Sequence, residues 1–271
     1  MPVTPAFIAD PTGFTSLLAV LVDEALVAGV SNPALAGFAG GPHALTPATF
    51  LLSFDFELYG SNCARLVVKP AGTAGATPCY FLPYKPDCGI SLTLGAGADY
   101  FFTSTLTGCS VQALGPRATP TVTHSNGRAT YGANLAAQTA AADGVASIAA
   151  QAVIDAMFPA AAGAPHVGYV RKADYLARLT PANVQTAKNR FRTAKRHHTV
   201  SNFAPSMYNN FKPEIGAFVF GVRTGAGWTF YYQSTVAVTG TRNTGFLCFA
   251  VKHKPLVSEE IVLGPAAQFY P

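Results

Sequence analysis

An α+β fold, with a β-sandwich core of mainly antiparallel strands flanked by helices, is what three features of this 271-residue chain predict. Only 11% of residues are charged while 49% are hydrophobic, which supplies a sizeable core and leaves little for long solvent-facing helices. The 25 Gly and 20 Pro punctuate the chain into short segments. Many of those segments alternate apolar with polar residues and are rich in Phe, Tyr, Val and Thr, the pattern of strands with one face buried. With no internal repeat and no long linker, residues 1–271 read as a single domain.

Near the N-terminus, Leu17, Leu18, Leu21, Val22 and Ala25 recur at helical spacing behind Thr15 and Ser16, predicting an amphipathic helix that stops near Gly29. A Pro, Gly and Ala-rich connector follows from Ser31 to Pro47. In TFLLSFDFELYG, Phe50, Leu52, Phe54, Phe56 and Leu58 alternate with more polar residues, giving a half-buried strand. Further β-type runs are ARLVVKP, PCYFLPY, ADYFFTSTL, CSVQAL and TVTHS, which Gly and Pro clusters separate in the manner of antiparallel sheets rather than βαβ units.

From Asn134 to Phe158 the chain turns Ala-rich, and Val145, Ile148, Ala149, Ala152 and Ala156 mark a helical stripe that Gly144 divides. Thr180 and Pro181 open a second helix, TPANVQTAKNRFRTAKRHH. Alternation on both sides of Gly225, Ala226 and Gly227 predicts a hairpin, and GFLCFAVKHKP a further strand.

The formal net charge is +5, yet Asp10, Asp23, Glu24, Asp55 and Glu57 all precede the first basic residue, Arg65. A secretory signal needs positive charge ahead of its apolar stretch, so FTSLLAVLVDEALVAG predicts neither a signal peptide nor, being short and acidic, a membrane span. Lys188, Arg190, Arg192, Lys195 and Arg196 cluster in KNRFRTAKRHH. Such a patch suits an acidic partner or a solvated helix face equally, and with Phe191 alone interleaved it commits the chain to no nucleic acid.

Five cysteines, Cys63, Cys79, Cys88, Cys109 and Cys248, form an odd set without a C-x-x-C, so reduced thiols are expected and no metal site is. A bridge between Cys79 and Cys88 across the Pro-rich turn stays open. Cys109 stands out because it follows Gly108 at the end of an aromatic and Thr-rich run, with His124 fifteen positions on. A thiol becomes a nucleophile when a base takes its proton and the backbone exposes its sulfur. LTGC supplies such a turn, its amides from Thr107 to Ser110 are candidate oxyanion donors, and Gly115-Pro116 turns the next strand back toward Cys109. The competing reading is a core cysteine and an unrelated histidine on neighbouring strands, since cysteine is among the most buried residue types.

The segment TSTLTGC with TVTH resembles the glutamine-deamidating toxins typified by the catalytic domain of cytotoxic necrotizing factor and by Burkholderia lethal factor, which share Leu-Ser-Gly-Cys followed by a histidine. Here Leu106, Thr107, Gly108 and Cys109 carry the motif with Thr for Ser, and His124 follows. Thr103 stands where the lethal-factor branch places its third active-site residue, so the likeness is nearer to that branch; it covers residues 98–127. The resemblance implies a Cys109 nucleophile, a His124 base and Thr103 orienting the imidazole, with no cofactor. It also implies a toxin or effector, delivered into a host cytoplasm, whose partner is a host protein carrying the target glutamine: a translation-initiation RNA helicase ahead of a Rho-type GTPase. Alternatives are a cysteine peptidase or transglutaminase, which share the thioester step, and a non-enzymatic β-sandwich binding or coat-like protein. Among rivals, Cys63 reads as a strand-end thiol, Cys248 as core, and His197 and His198 as a surface face, while His166 serves as base only if the chain returns it to Cys109.

Overall fold

The computed structural model describes residues 3–22, 35–38, 40–59, 63–126, 151–178, 180–183, 185–186, 189, 212–239, 241–243, 253–255 and 259–271. It is mostly β, with two main sheets and few helices. The chain opens with α1 (Thr4–Ala9) and α2 (Pro11–Leu17), each with proline in its first turn, and Asp10 caps α2 by accepting from the Gly13 N–H. Strands β1 (Ala19–Val22), β2 (Gly41–Leu45), β3 (Leu51–Leu58), β4 (Cys63–Lys69), β5 (Thr77–Leu82), β6 (Cys88–Thr93) and β7 (Tyr100–Thr103) follow. Then come β8 (Ser110–Leu114), β9 (Thr121–Ser125), β10 (Val167–Val170) and the short α3 (Lys172–Leu176). The chain finishes with β11 (Lys212–Thr224), β12 (Gly227–Thr239), β13 (Thr241–Asn243), β14 (His253–Pro255), β15 (Glu259–Val262) and β16 (Ala267–Tyr270).

The larger sheet runs β1-β4-β3-β5-β7-β11-β12-β15 with β16 also on β12, and the smaller runs β10-β8-β9-β6-β2; β13 and β14 form a separate pair. Pairing is antiparallel except for β1 with β4, β5 with β7 and β2 with β6. Every strand anticipated from alternation between residues 50 and 125 forms, as does the hairpin at Gly225-Ala226-Gly227.

The N-terminal expectation needs correcting. Thr15 and Ser16 do not cap a helix; they lie in the last turn of α2, their hydroxyls donating to the Pro11 and Gly13 carbonyls. The apolar run after Leu17 becomes β1, parallel to β4, because Ala19 and Val20 bury completely or nearly so against that neighbour and Gln233 of β12 secures the crossing. The Gln233 side-chain oxygen accepts from the Val20 N–H at 3.0 Å, and its amide donates to the Thr15 and Leu18 carbonyls. The connector at 31–47 is also more ordered than its composition suggests, since β2 pairs with β6 and a 3-10 turn, Pro47–Phe50, leads into β3. β6, β2 and β10 had no clear alternation to announce them.

Thr180 caps the residues beginning at Pro181, accepting from the Asn183 N–H at 3.2 Å. Of the Ala-rich helix, residues 151–156 are helical; 134–150, the basic segment from Arg190 to His198 and Cys248 lie outside the described residues. Cys79 and Cys88 are separate thiols, not a bridge. No described helix is long and apolar enough to cross a membrane.

Alternation divides the core in two. Phe54, Phe56, Phe81, Phe102, Phe218 and Phe220 point to one face of the large sheet, where Phe7 and Phe14 of the first helices cover them. Leu82, Phe101, Val219 and Phe230 point to the other, into a cluster with Ile90, Leu92, Val111 and Val122 of the small sheet. One core is thus shared by both sheets. The tips of two hairpins lock together beside it, with the Trp228 N–H donating to the Arg117 carbonyl at 2.8 Å and the Arg117 guanidinium to Thr229. Gly227 is required there, because a Cβ would stand 2.8 Å from that of Arg117.

Candidate functional site

Strand period decides which side chains enter the shared interior. Thr103 follows Phe102 and so falls on the Phe101 face of β7; His124 lies two residues from Val122 on β9 and faces the same space from the other sheet. They meet there, both fully buried, with Thr103 Oγ1 and His124 Nδ1 2.7 Å apart. The Thr103 hydroxyl also lies 2.6 Å from the Leu82 carbonyl oxygen, which can only accept. The single hydroxyl proton therefore goes to Leu82, and the imidazole donates its Nδ1 proton to Thr103. Nε2 is left as the unprotonated nitrogen, buried and with no hydrogen-bond partner. Burial pushes the imidazole pKa down to about 3, so the ring is neutral at pH 7.

Cys109 reaches this interior from the connection between the sheets. Leu106, fully buried, exchanges two backbone hydrogen bonds of 2.9 Å with Ala217 of β11. Thr107 is exposed at the bend, Gly108 takes φ +145°, a value side chains disfavour, and the chain then enters β8 at Ser110. The β8–β9 hairpin sets Ser110 opposite Ser125 and Val111 opposite His124, so the turn at Gly115-Pro116 does bring the histidine strand back beside the cysteine. Residue 126 accordingly stands across from residue 109, and the Asn126 side-chain amide donates to Cys109 Sγ at 2.8 Å.

One expectation changes. The turn was expected to expose the sulfur, whereas Cys109 is 3% exposed and belongs to the shared core. It is buried because residue 109 falls on the inward face of β8, in phase with Val111. Tyr175 of α3 packs against this turn. The Tyr175 hydroxyl donates to the Cys109 carbonyl at 3.3 Å, and burial, reinforced by the nearby Cys109, pushes its pKa far up, so it stays neutral and clamps the turn. Ser110 turns to the opposite face, where its hydroxyl meets Gln151.

Tyr84, partly exposed, stacks on the His124 ring at 5.8 Å between centroids. It touches His124, and Asn126, also partly exposed, touches Cys109. Sequence reading missed both, as it missed Tyr175. Asn126 was within reach, because the hairpin symmetry that pairs His124 with Val111 also pairs residues 126 and 109; Tyr84 and Tyr175 arrive from distant elements with no local signal.

The rival groups lie elsewhere. Cys79 is fully buried and burial raises its thiol pKa strongly; Cys63 begins β4 at the sheet edge opposite β1. His166 packs on Tyr270 near Gly115, at the far end of β8 from Cys109. His43 stacks on Phe38 and bonds to the Gly40 carbonyl. Among the described residues, no three His, Cys, Asp or Glu side chains group as metal ligands.

No family model matches this chain, and no curated protein matches it in sequence.

Proposed function

We propose that this chain is a thiol amidohydrolase, a toxin or effector that converts a glutamine side chain of a host protein to glutamate. The observation that carries the reading is the threonine-locked imidazole, whose Nε2 lone pair lies in the same interior as the thiol of Cys109. In the reaction, Nε2 takes the Sγ proton and the thiolate attacks the carboxamide carbon. The tetrahedral intermediate collapses with loss of ammonia, which carries away the proton from His124, and water then cleaves the thioester to the carboxylate. Thr103 keeps the imidazole in the tautomer that can accept. A neutral imidazole makes this a general-base site rather than a resting thiolate–imidazolium pair. The two sheets with their shared core support a sandwich-like α+β arrangement, as the resemblance implies. That resemblance puts a translation-initiation RNA helicase ahead of a Rho-type GTPase as substrate.

The test incubates purified protein with each of these substrates and follows ammonia release together with the conversion of glutamine to glutamate by peptide mass. Cys109→Ser should abolish both and keep the wild-type circular dichroism spectrum. Wild-type protein that releases no ammonia from either, or a fully active Cys109→Ser, refutes the reading. Release of an amine-linked product or a cut chain instead points to a transglutaminase or peptidase. The burial of Cys109 favours a second reading, a β-sandwich binding or coat-like protein in which the thiol is core packing. In that case Cys109→Ser changes stability alone.

A further inference from the structure

The imidazole is neutral, so it does not hold a thiolate by charge. Among the described residues, the titratable groups near the turn include the Tyr175 phenol from α3, Cys88 at the head of β6, and Tyr84, Asp87 and Lys85 in the loop before it, with the Lys85 ammonium directed to the Leu35 carbonyl at 2.6 Å. Tyr175 gives its hydroxyl to a main-chain carbonyl. A sulfur anion in this interior is stabilised by any donor that reaches it, and the Asn126 side-chain amide does. We infer that Asn126 is a catalytic residue of this site: its side-chain amide, set opposite Cys109 by the β8–β9 register, donates to Sγ and stabilises the thiolate that attacks.

Three observations place the amide for this role. Its Nδ2 lies 2.8 Å from the sulfur. Its backbone is anchored on the neighbouring strand, the Asn126 N–H donating to the Cys88 carbonyl at 3.1 Å. Its side-chain oxygen faces the Asp87 N–H at 3.5 Å, a long contact that nonetheless turns the oxygen away from the sulfur and the NH2 toward it. The proton leaves Sγ for His124 Nε2, while the negative charge remaining on sulfur faces the Asn126 N–H. The assignment rests on the thiol chemistry proposed above and adds to it a group that stabilises the anion.

The test measures the rate of Cys109 alkylation by iodoacetamide against pH, read by peptide mass, in wild type, Asn126→Ala and the near-isosteric Asn126→Asp, with circular dichroism to score folding. Asn126→Ala should move the midpoint up by about one pH unit, a roughly tenfold lower rate below both midpoints. Asn126→Asp, which replaces the donor with an acceptor, should move it further. His124→Asn should move it less than either, because the ring it removes is uncharged. A midpoint unchanged in both folded Asn126 variants overturns the inference, as does a wild-type Cys109 that resists alkylation at every pH. Persisting ammonia release beside an unmoved midpoint sinks this assignment alone. A shifted midpoint with no ammonia from any substrate sinks the deamidase reading and leaves the Asn126 donor standing.

Discussion

Replacing Thr103 with valine exchanges one hydroxyl for a methyl group of nearly equal volume, so the core gains no cavity and loses two hydrogen bonds. The Leu82 carbonyl keeps a second donor, the Ser104 N–H at 3.3 Å, and its share of the loss falls at the low end. The His124 Nδ1 proton keeps nothing, in a site with no solvent exposure. A stranded buried donor costs about 1–3 kcal/mol, so the two losses together come to about 2–4 kcal/mol. The tautomer lock goes with them, and the imidazole proton can then settle on Nε2, the atom that must accept. Urea unfolding followed by fluorescence reads the first effect cleanly, because the chain has a single tryptophan, Trp228, and it is fully buried. Ammonia release reads the second. Thr103→Ser, which restores the hydroxyl and loses one methyl group, should return activity and stay within about 1 kcal/mol of wild type. A Thr103→Val protein within about 0.5 kcal/mol of wild type and equally active would refute the hydroxyl's part in holding the ring.

Acid titrates the same ring. Its folded pKa is depressed from an ordinary value of about 6.5 to about 3, so the unfolded chain takes up a proton first. The His124 contribution is complete above about pH 6.5 and is lost toward pH 3 at about 1.4 kcal/mol per unit; urea midpoints of His124→Asn should fall less steeply than those of wild type through that window. Parallel slopes would contradict it. Gly168→Ala drives a Cβ to within 2.0 Å of the Phe269 carbonyl oxygen and should destabilise by about 2–3 kcal/mol or more, by loosening β10 from β16; a silent substitution would mean the two strands do not touch. Gln233→Leu strands the Val20 N–H and the Thr15 and Leu18 carbonyls, and limited proteolysis should then cut the chain near residues 17–20 well before the wild type is cut there.

Period-two alternation made β3, β4, β5 and β7 of the large sheet, β8 and β9 of the small sheet and the β11–β12 hairpin legible, because each is a short β-rich run bounded by Gly or Pro whose successive side chains go to opposite faces. It failed at Leu17–Val22, where a continuous apolar run satisfies helix and strand alike and the outcome rests on β4 and Gln233, far away in sequence. β2 was hidden for the same reason, as its pairing partner β6 lies more than forty residues on. At the site, the nearness of Cys109 and His124 followed from one turn, Gly115-Pro116, whereas Thr103 was named by resemblance and its bond to the ring depends on how two sheets stack. Burial of the sulfur was illegible because exposure in a turn depends on what packs over it, and here Tyr175 and Asn126 come from other elements.

The hydroxyl that fixes the ring belongs to one sheet and the ring to the other, while the motif from Leu106 to Cys109 is the thread that crosses between them. Neither half of the molecule owns a working centre. A slip of a single residue in β7 or β9 would swing Thr103 or His124 to the opposite side and dismantle it. Chemistry at this thiol is therefore an interlock: it engages only in a chain whose halves have closed in step, and a folding intermediate that kept either sheet alone would be inert.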